Sequence, residues 1–261
     1  MRKTNEKNCI LRGVCVKAGS ESHCNKLCPL YNSMHGHKGI GGRVAMANIP
    51  KDYQKMTISH NPVREVQKQA YFLIDRWAKK FFPLIFEENA ERIKPLYLYS
   101  KEVGTGKTAT AASIANSFLV YTFTEALKRG QQPLERPVYF LDFNQWQREF
   151  AAFNNPKIPR DMGEKMARKF YEIRDIAKDV LLLVVDDIGI EDPSNAFHGI
   201  AHDLINHRLV NWLPTIFTSN VEMEDLLLRY DKRLFDRIRD HNSQIEFIGT
   251  SHRGMRQDFD V

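Results

Sequence analysis

Ser100-Lys101-Glu102-Val103-Gly104-Thr105-Gly106-Lys107-Thr108 joins the apolar run Pro95-Leu-Tyr-Leu-Tyr99 to the alanine-rich stretch Ala109-Thr-Ala-Ala-Ser-Ile-Ala-Asn-Ser-Phe-Leu119. A short apolar run, a glycine-bearing loop and a helical pattern in that order predict a strand, a phosphate-binding loop and a helix. Glycines let several backbone N–H groups and the positive end of the following helix face one anion. Lys107 then reaches the outer phosphates and the Thr108 hydroxyl is placed to ligate Mg²⁺. Val103, Gly104, Thr105, Gly106, Lys107, Thr108 and Ala109 are the expected nucleotide-binding residues. One position departs from G-x-x-x-x-G-K-[ST]: its first glycine is Lys101.

Downstream, Val180-Leu-Leu-Leu-Val-Val185 runs into Asp186-Asp187. Six consecutive aliphatics mark a strand buried on both faces of a parallel sheet, ending in two carboxylates at the ligand edge. Asp186 is the expected Mg²⁺ ligand, and Asp187 the group that orients or deprotonates an attacking water. A further strand, Leu213-Pro-Thr-Ile-Phe-Thr-Ser-Asn220, ends in an amide that can sense the γ-phosphate or the water. Between these lie the strand Pro137-Val-Tyr-Phe-Leu-Asp142, a helix around Trp146 and Phe150, and a helix from Met162 to Lys178. The βαβα alternation predicts an α/β fold with a parallel sheet. From Pro62 a helical periodicity runs through Val63, Val66, Ala70, Phe72 to Ile74, Trp77 and Phe81, ending at Pro83, and the helix is expected to pack on the nucleotide domain.

Charge divides the 261-residue chain unevenly. Residues 1 to 62 hold ten Lys or Arg against three acids, net +7, which leaves 28 basic and 29 acidic residues, net −1, in the remainder. A basic excess confined to one end points to an acidic partner or nucleic acid there. All four cysteines also fall in this end: Cys9, Cys15, Cys24 and Cys28, spaced C-x5-C-x8-C-x3-C. Four thiolates can close a tetrahedral structural Zn²⁺ site around a segment too short to bury its own core. His23, His35 or His37 replacing one cysteine, an iron–sulfur cluster and unliganded thiols are the alternatives. The expected organisation is a zinc-binding module over 1–35, a basic linker over 36–62 rich in glycine, and the ATPase domain over 63–261. No apolar run approaches the roughly 18 residues of a membrane span, and the polar start Met1 to Lys7 is not a secretion signal, so the expectation is a cytoplasmic protein with no membrane partner.

Taken together, Lys107-Thr108, Asp186-Asp187-Ile-Gly189, Ile205-Asn-His-Arg208, Pro214-Thr-Ile-Phe-Thr-Ser-Asn220, Asp236-Arg237-Ile238 and Gly249-Thr-Ser-His-Arg253 resemble the AAA+ ATPase core of DnaC/DnaI-type bacterial or phage replicative helicase loaders, in the IstB-like superfamily. The resemblance covers about residues 60 to 256. It implies a P-loop AAA+ fold with a reduced C-terminal lid, binding of ATP and Mg²⁺, and Zn²⁺ in a cysteine-rich module that contacts the helicase. It further implies sensor 1 at Asn220, an arginine finger at Arg237 acting on a neighbouring subunit, and sensor 2 at Arg253, with Arg233, Arg239 and Arg256 close beside the last two. The function it implies is ATP-dependent loading of a hexameric replicative helicase onto single-stranded DNA, the loader associating with itself on the ring. A transposition helper of the IstB type shares the same core motifs, and a non-hydrolysing ATP-binding adaptor is the alternative from another class. Asp187, where many such ATPases carry Glu, leads to an expectation of slow hydrolysis.

Overall fold

The computed structural model describes residues 4–87, 92–189, 194–228 and 232–251. Its centre is a five-stranded sheet in the order β2-β3-β4-β1-β5, built from β1 (Leu96–Tyr99), β2 (Val138–Asp142), β3 (Leu182–Asp186), β4 (Thr215–Ser219) and β5 (Ser243–Glu246). Every neighbouring pair is parallel. Strand residues alternate strictly between two cores, as the two-residue period of a strand demands. Leu96, Leu98, Phe140, Leu182, Val184 and Ile216 face one layer; Tyr97, Tyr99, Leu141, Leu183, Val185 and Phe217 face the other.

The first layer holds α4 (Lys68–Leu84), α5 (Lys107–Lys128) and the N-terminal segment; the second holds α6 (Phe143–Phe153), α7 (Arg160–Asp179) and α8 (Asn195–Val210). The periodicity from Pro62 resolves into two helices, α3 (Val63–Val66) and α4, broken at Gln67, whose backbone leaves the helical region (φ −114°, ψ 46°). α9 (Lys232–His241) packs on α8 and leads into β5.

Residues before α3 form α1 (Pro29–His35), α2 (Gly42–Met46) and several short 3-10 turns. Ile10, Leu11, Met34, Val44, Ala47, Ile49 and Ile58 are buried in the same core as α5. The segment 36–62, expected as a linker, is fastened to the sheet: Phe140 donates its N–H to Ala47 O at 2.8 Å, and Asn48 Nδ2 donates to Phe140 O at 2.9 Å. The chain thereby covers the outer edge of β2, which would otherwise present unpaired backbone groups. Arg43 adds hydrogen bonds to Pro133 O and Leu134 O, with its guanidinium 5.2 Å from the Phe123 ring centroid. No described helix is long and apolar enough to cross a membrane.

Candidate nucleotide site

Because β1 sits between β4 and β5, and β3 lies beyond β4, the C-terminal ends of β1, β4 and β3 open on one crevice. That is where an open parallel sheet binds ligands. A cavity of about 180 Å³ there is lined by Val103, Gly104, Gly106, Lys107, Thr108, Ala109, Asp187 and Asn220, joined by Tyr53 and Val63. Eight residues from three separate sequence motifs are thus brought together. Thr105 is fully buried beneath them.

Gly106 caps α5 with φ +100°, a conformation L side chains rarely adopt. A Cβ there would also sit 2.5 Å from Val63 Cγ1, so the loop is tight as well as left-handed. Lys107 begins α5 and donates Nζ to Glu102 O at 3.2 Å, curling back over the loop.

Asp186, 6% exposed, accepts the Thr218 hydroxyl at 2.6 Å and is hydrogen-bonded by Thr108. Burial above all, then the charge of Asp187, pushes its carboxyl up to about 7, against the pull of the two hydroxyls. A buried carboxylate with a hydroxyl partner and a second carboxylate beside it is a donor set that fits Mg²⁺, whose charge would relieve the repulsion. Asp187 lies in the left-handed region (φ +61°), which turns it out of the strand and into the cavity, and its N–H is held by Thr218 Oγ1 at 2.9 Å. Asn220 Oδ1 is buried without a hydrogen-bond partner. A buried amide oxygen lacking a donor fits a water or hydroxyl brought with the nucleotide.

Several residues of this site carry no motif signal. Gln67 is 5% exposed and donates Nε2 to Thr105 O at 3.3 Å and Ile248 O at 2.7 Å, while its Oε1 accepts the Ile248 N–H. It ties the phosphate loop to a segment that lies 181 residues beyond Gln67 itself. Asn61 Nδ2 bonds Ala109 O and Ser113 Oγ, and Tyr71 OH contacts Thr110 Oγ1, so the start of α5 is held from the N-terminal side too. Only the Asn61-Pro62 pair before a helix hints at any of this in the sequence.

Lys101 bonds Glu222 Oε1 at 2.9 Å, and the buried Tyr99 donates its hydroxyl to the same oxygen at 2.9 Å. The residue in place of glycine therefore ties the beginning of the loop to the turn after Asn220. Arg208, with no exposed surface, donates to Ala177 O, Lys178 O, Val180 O, Pro214 O and Thr215 Oγ1. It clamps the starts of β3 and β4, at the opposite end of the sheet from the cavity. Arg237 lies on α9, hydrogen-bonded to Asn206 of α8, and does not line the cavity. Arg253 and Arg256 lie outside the described residues, as do the side-chain surroundings of Arg233.

The cysteines Cys9, Cys15, Cys24 and Cys28 are free thiols lining one cavity of about 460 Å³ together with His23. Burial raises the Cys9 thiol, and the proximity of Cys24, Cys28 and Cys15 adds to it. Among the described residues no group of three or more His, Cys, Asp or Glu is drawn close enough to hold a metal. The donors expected for zinc therefore share a cavity without forming a tetrahedral site. His35 is committed elsewhere, its Nε2 accepting the Ile10 N–H at 3.0 Å.

No family model matches the chain, and no curated protein matches it. Its fold is similar to that of solved structures of replication proteins. DnaI aligns at 22% identity and TM-score 0.56 over 80% of this chain and 99% of that one. The DnaC helicase loader aligns at 19% and 0.53 over 76% and 100%. AMPPCP-bound DnaA from Aquifex aeolicus aligns at 19% and 0.50 over 76% and 51%. At these identities the likeness establishes the α/β fold with its parallel five-stranded sheet.

Proposed function

We propose that this chain is an AAA+ ATPase that loads a hexameric replicative helicase onto single-stranded DNA. The observation that carries the reading is the convergence of Lys107, Thr108, Asp187 and Asn220 on one cavity, on a fold similar to the DnaI and DnaC structures. Lys107 and the N-terminal end of α5 would hold the β- and γ-phosphates, and Thr108 with Asp186 would hold Mg²⁺, which when bound offsets charge on the phosphates. Asp187 would take a proton from the water that attacks the γ-phosphorus as the bond to ADP breaks, with Asn220 Oδ1 accepting that water's second hydrogen. Arg237, away from its own cavity, would serve the site of an adjoining subunit.

The N-terminal cysteines would take Zn²⁺, which closes their shared cavity into a structural site and shapes the surface that meets the helicase. Exposed Val14 and Val16 line that cavity.

Purified protein mixed with the host's replicative helicase should elute as a complex, with one zinc per chain by elemental analysis, and Cys24→Ser with Cys28→Ser should abolish both. Asp187→Asn should retain ATP and lose hydrolysis. Absence of a helicase complex, with capture of duplex DNA and a transposase instead, would replace this function by the transposition-helper one.

A further inference from the structure

We propose that the outward face of α4 is a binding surface for single-stranded nucleic acid, with Phe72 as the base-stacking platform and Lys68, Arg76, Lys79 and Lys80 as the phosphate contacts. The proposal rests on the reading above for its choice of DNA, and assigns the strand a place on this chain. α4 buries Ala70, Tyr71, Ile74, Trp77, Ala78, Phe81 and Phe82 on its inner side, and Trp77 stacks on Phe81 at 4.4 Å between ring centroids. Its anchoring is complete without Phe72 and Leu73, which are nevertheless 62% and 47% exposed. Lys68, Phe72, Arg76 and Lys80 follow at four-residue steps, roughly 6 Å apart along one ridge of the helix.

Charge selects the occupant. The only carboxylate in α4 is Asp75, and it is taken by a two-pronged pair with Arg64 at 2.6 and 3.0 Å. Lys68, Lys79 and Lys80 are exposed and make no ion pair among the described residues. Arg76 lies over the Phe72 ring at 5.6 Å from its centroid, so cation and π-face already form a unit. Four cations call for a polyanion. A solvent-facing aromatic beside them calls for one with unstacked planar bases, which a single strand offers and a duplex does not.

The test is anisotropy of a fluorescent thymidine oligonucleotide titrated with the nucleotide-free full chain at several salt concentrations. Phe72→Ala should weaken binding roughly 5- to 150-fold with the salt slope unchanged, and Phe72→Trp should restore it. Lys79→Gln with Lys80→Gln should lower the slope of log K against log salt by about 1.4. Parental binding in all three variants would overturn the proposal. So would parental DNA binding combined with lost self-association in sedimentation, which would make this face an interface between copies. Each variant is also titrated with a fluorescent ATP analogue. Retained analogue binding with no DNA effect sinks this proposal alone, whereas DNA binding through α4 in a chain that holds no ATP sinks the ATPase reading alone. If Phe72→Ala also loses the analogue, the lysine variants decide.

Discussion

Thr218 donates its hydroxyl to Oδ1 of Asp186 at 2.6 Å across the β3–β4 pair. The hydroxyl oxygen of Thr218 in turn accepts the backbone N–H of Asp187 at 2.9 Å, so one side chain positions both acidic residues. Removing it as Thr218→Val takes a stabilising donor from a carboxyl already at about 7 and moves that carboxyl further up. A hydrogen bond to a charged group is worth about 1.5–3 kcal/mol. We expect the Mg²⁺ concentration for half-maximal ATPase at pH 7 to rise at least tenfold. The deficit should shrink by pH 8.5, where more of the carboxyl is ionised, and Thr218→Ser should recover the parental value. An equal Mg²⁺ requirement in parent and Thr218→Val would remove Asp186 from the metal.

Gly106 and Val63 set how tightly the loop closes. Gly106→Ala meets two penalties: a backbone at φ +100° and a Cβ 2.5 Å from Val63 Cγ1. Backbone strain of this kind costs about 1–3 kcal/mol, and Val63 is too stiff to yield without moving α3. Binding of a fluorescent ATP analogue should fall more than tenfold. Adding Val63→Ala removes the contact but leaves the strain, so the double variant should recover part of the loss and not all of it. Full recovery would show that sterics alone decide at this position.

How far the site is legible in the sequence follows from the range of the interactions. The phosphate loop, the β3 carboxylates and the end of β4 are local: each is an apolar run closed by a few polar residues, and the parallel sheet then brings their C-terminal ends together. Gln67 is different, since nothing in Val66-Gln67-Lys68 signals a bond to Thr105 or Ile248. β5 is equally silent. Ser243-Gln-Ile-Glu246 has one buried residue, Ile245, and forms a strand because β1 offers it a free edge. In 36–42 the glycines correctly mark irregular backbone, four of them having positive φ. Their turns fold the chain back so that Val44, Ala47 and Ile49 reach the core, a tertiary outcome that local composition does not encode.

Lys101 stands where the phosphate-loop pattern has glycine, and its pair with Glu222 is solvent-exposed. Exposed pairs of this kind contribute little. Glu222 keeps its hydrogen bond from Tyr99 when Lys101 is removed. Lys101→Gly should therefore change the affinity for the ATP analogue less than fivefold, whereas Lys107→Ala should abolish binding. A larger loss for Lys101→Gly would assign this lysine a direct part in holding the phosphates.

His35 makes the attachment of the N-terminal segment sensitive to acid. Its ring is 8% exposed, and its unprotonated Nε2 accepts the Ile10 N–H; burial, aided by the charge of Lys55, lowers it to about 4 from 6.5. Well above pH 7 the ring is neutral in both folded and unfolded chains, so it contributes no pH dependence there. As the pH falls from 6.5 towards 4 the unfolded chain takes up a proton that the folded chain refuses, and stability is lost across that window. The full displacement corresponds to roughly 3 kcal/mol. We expect the melting temperature of the parent to fall more steeply than that of His35→Gln between pH 6.5 and 4.5. The glutamine oxygen can still accept from Ile10 but does not titrate, so the two curves should converge in relative slope above pH 7. Parallel curves throughout would mean that the ring protonates without leaving its place beside Ile10.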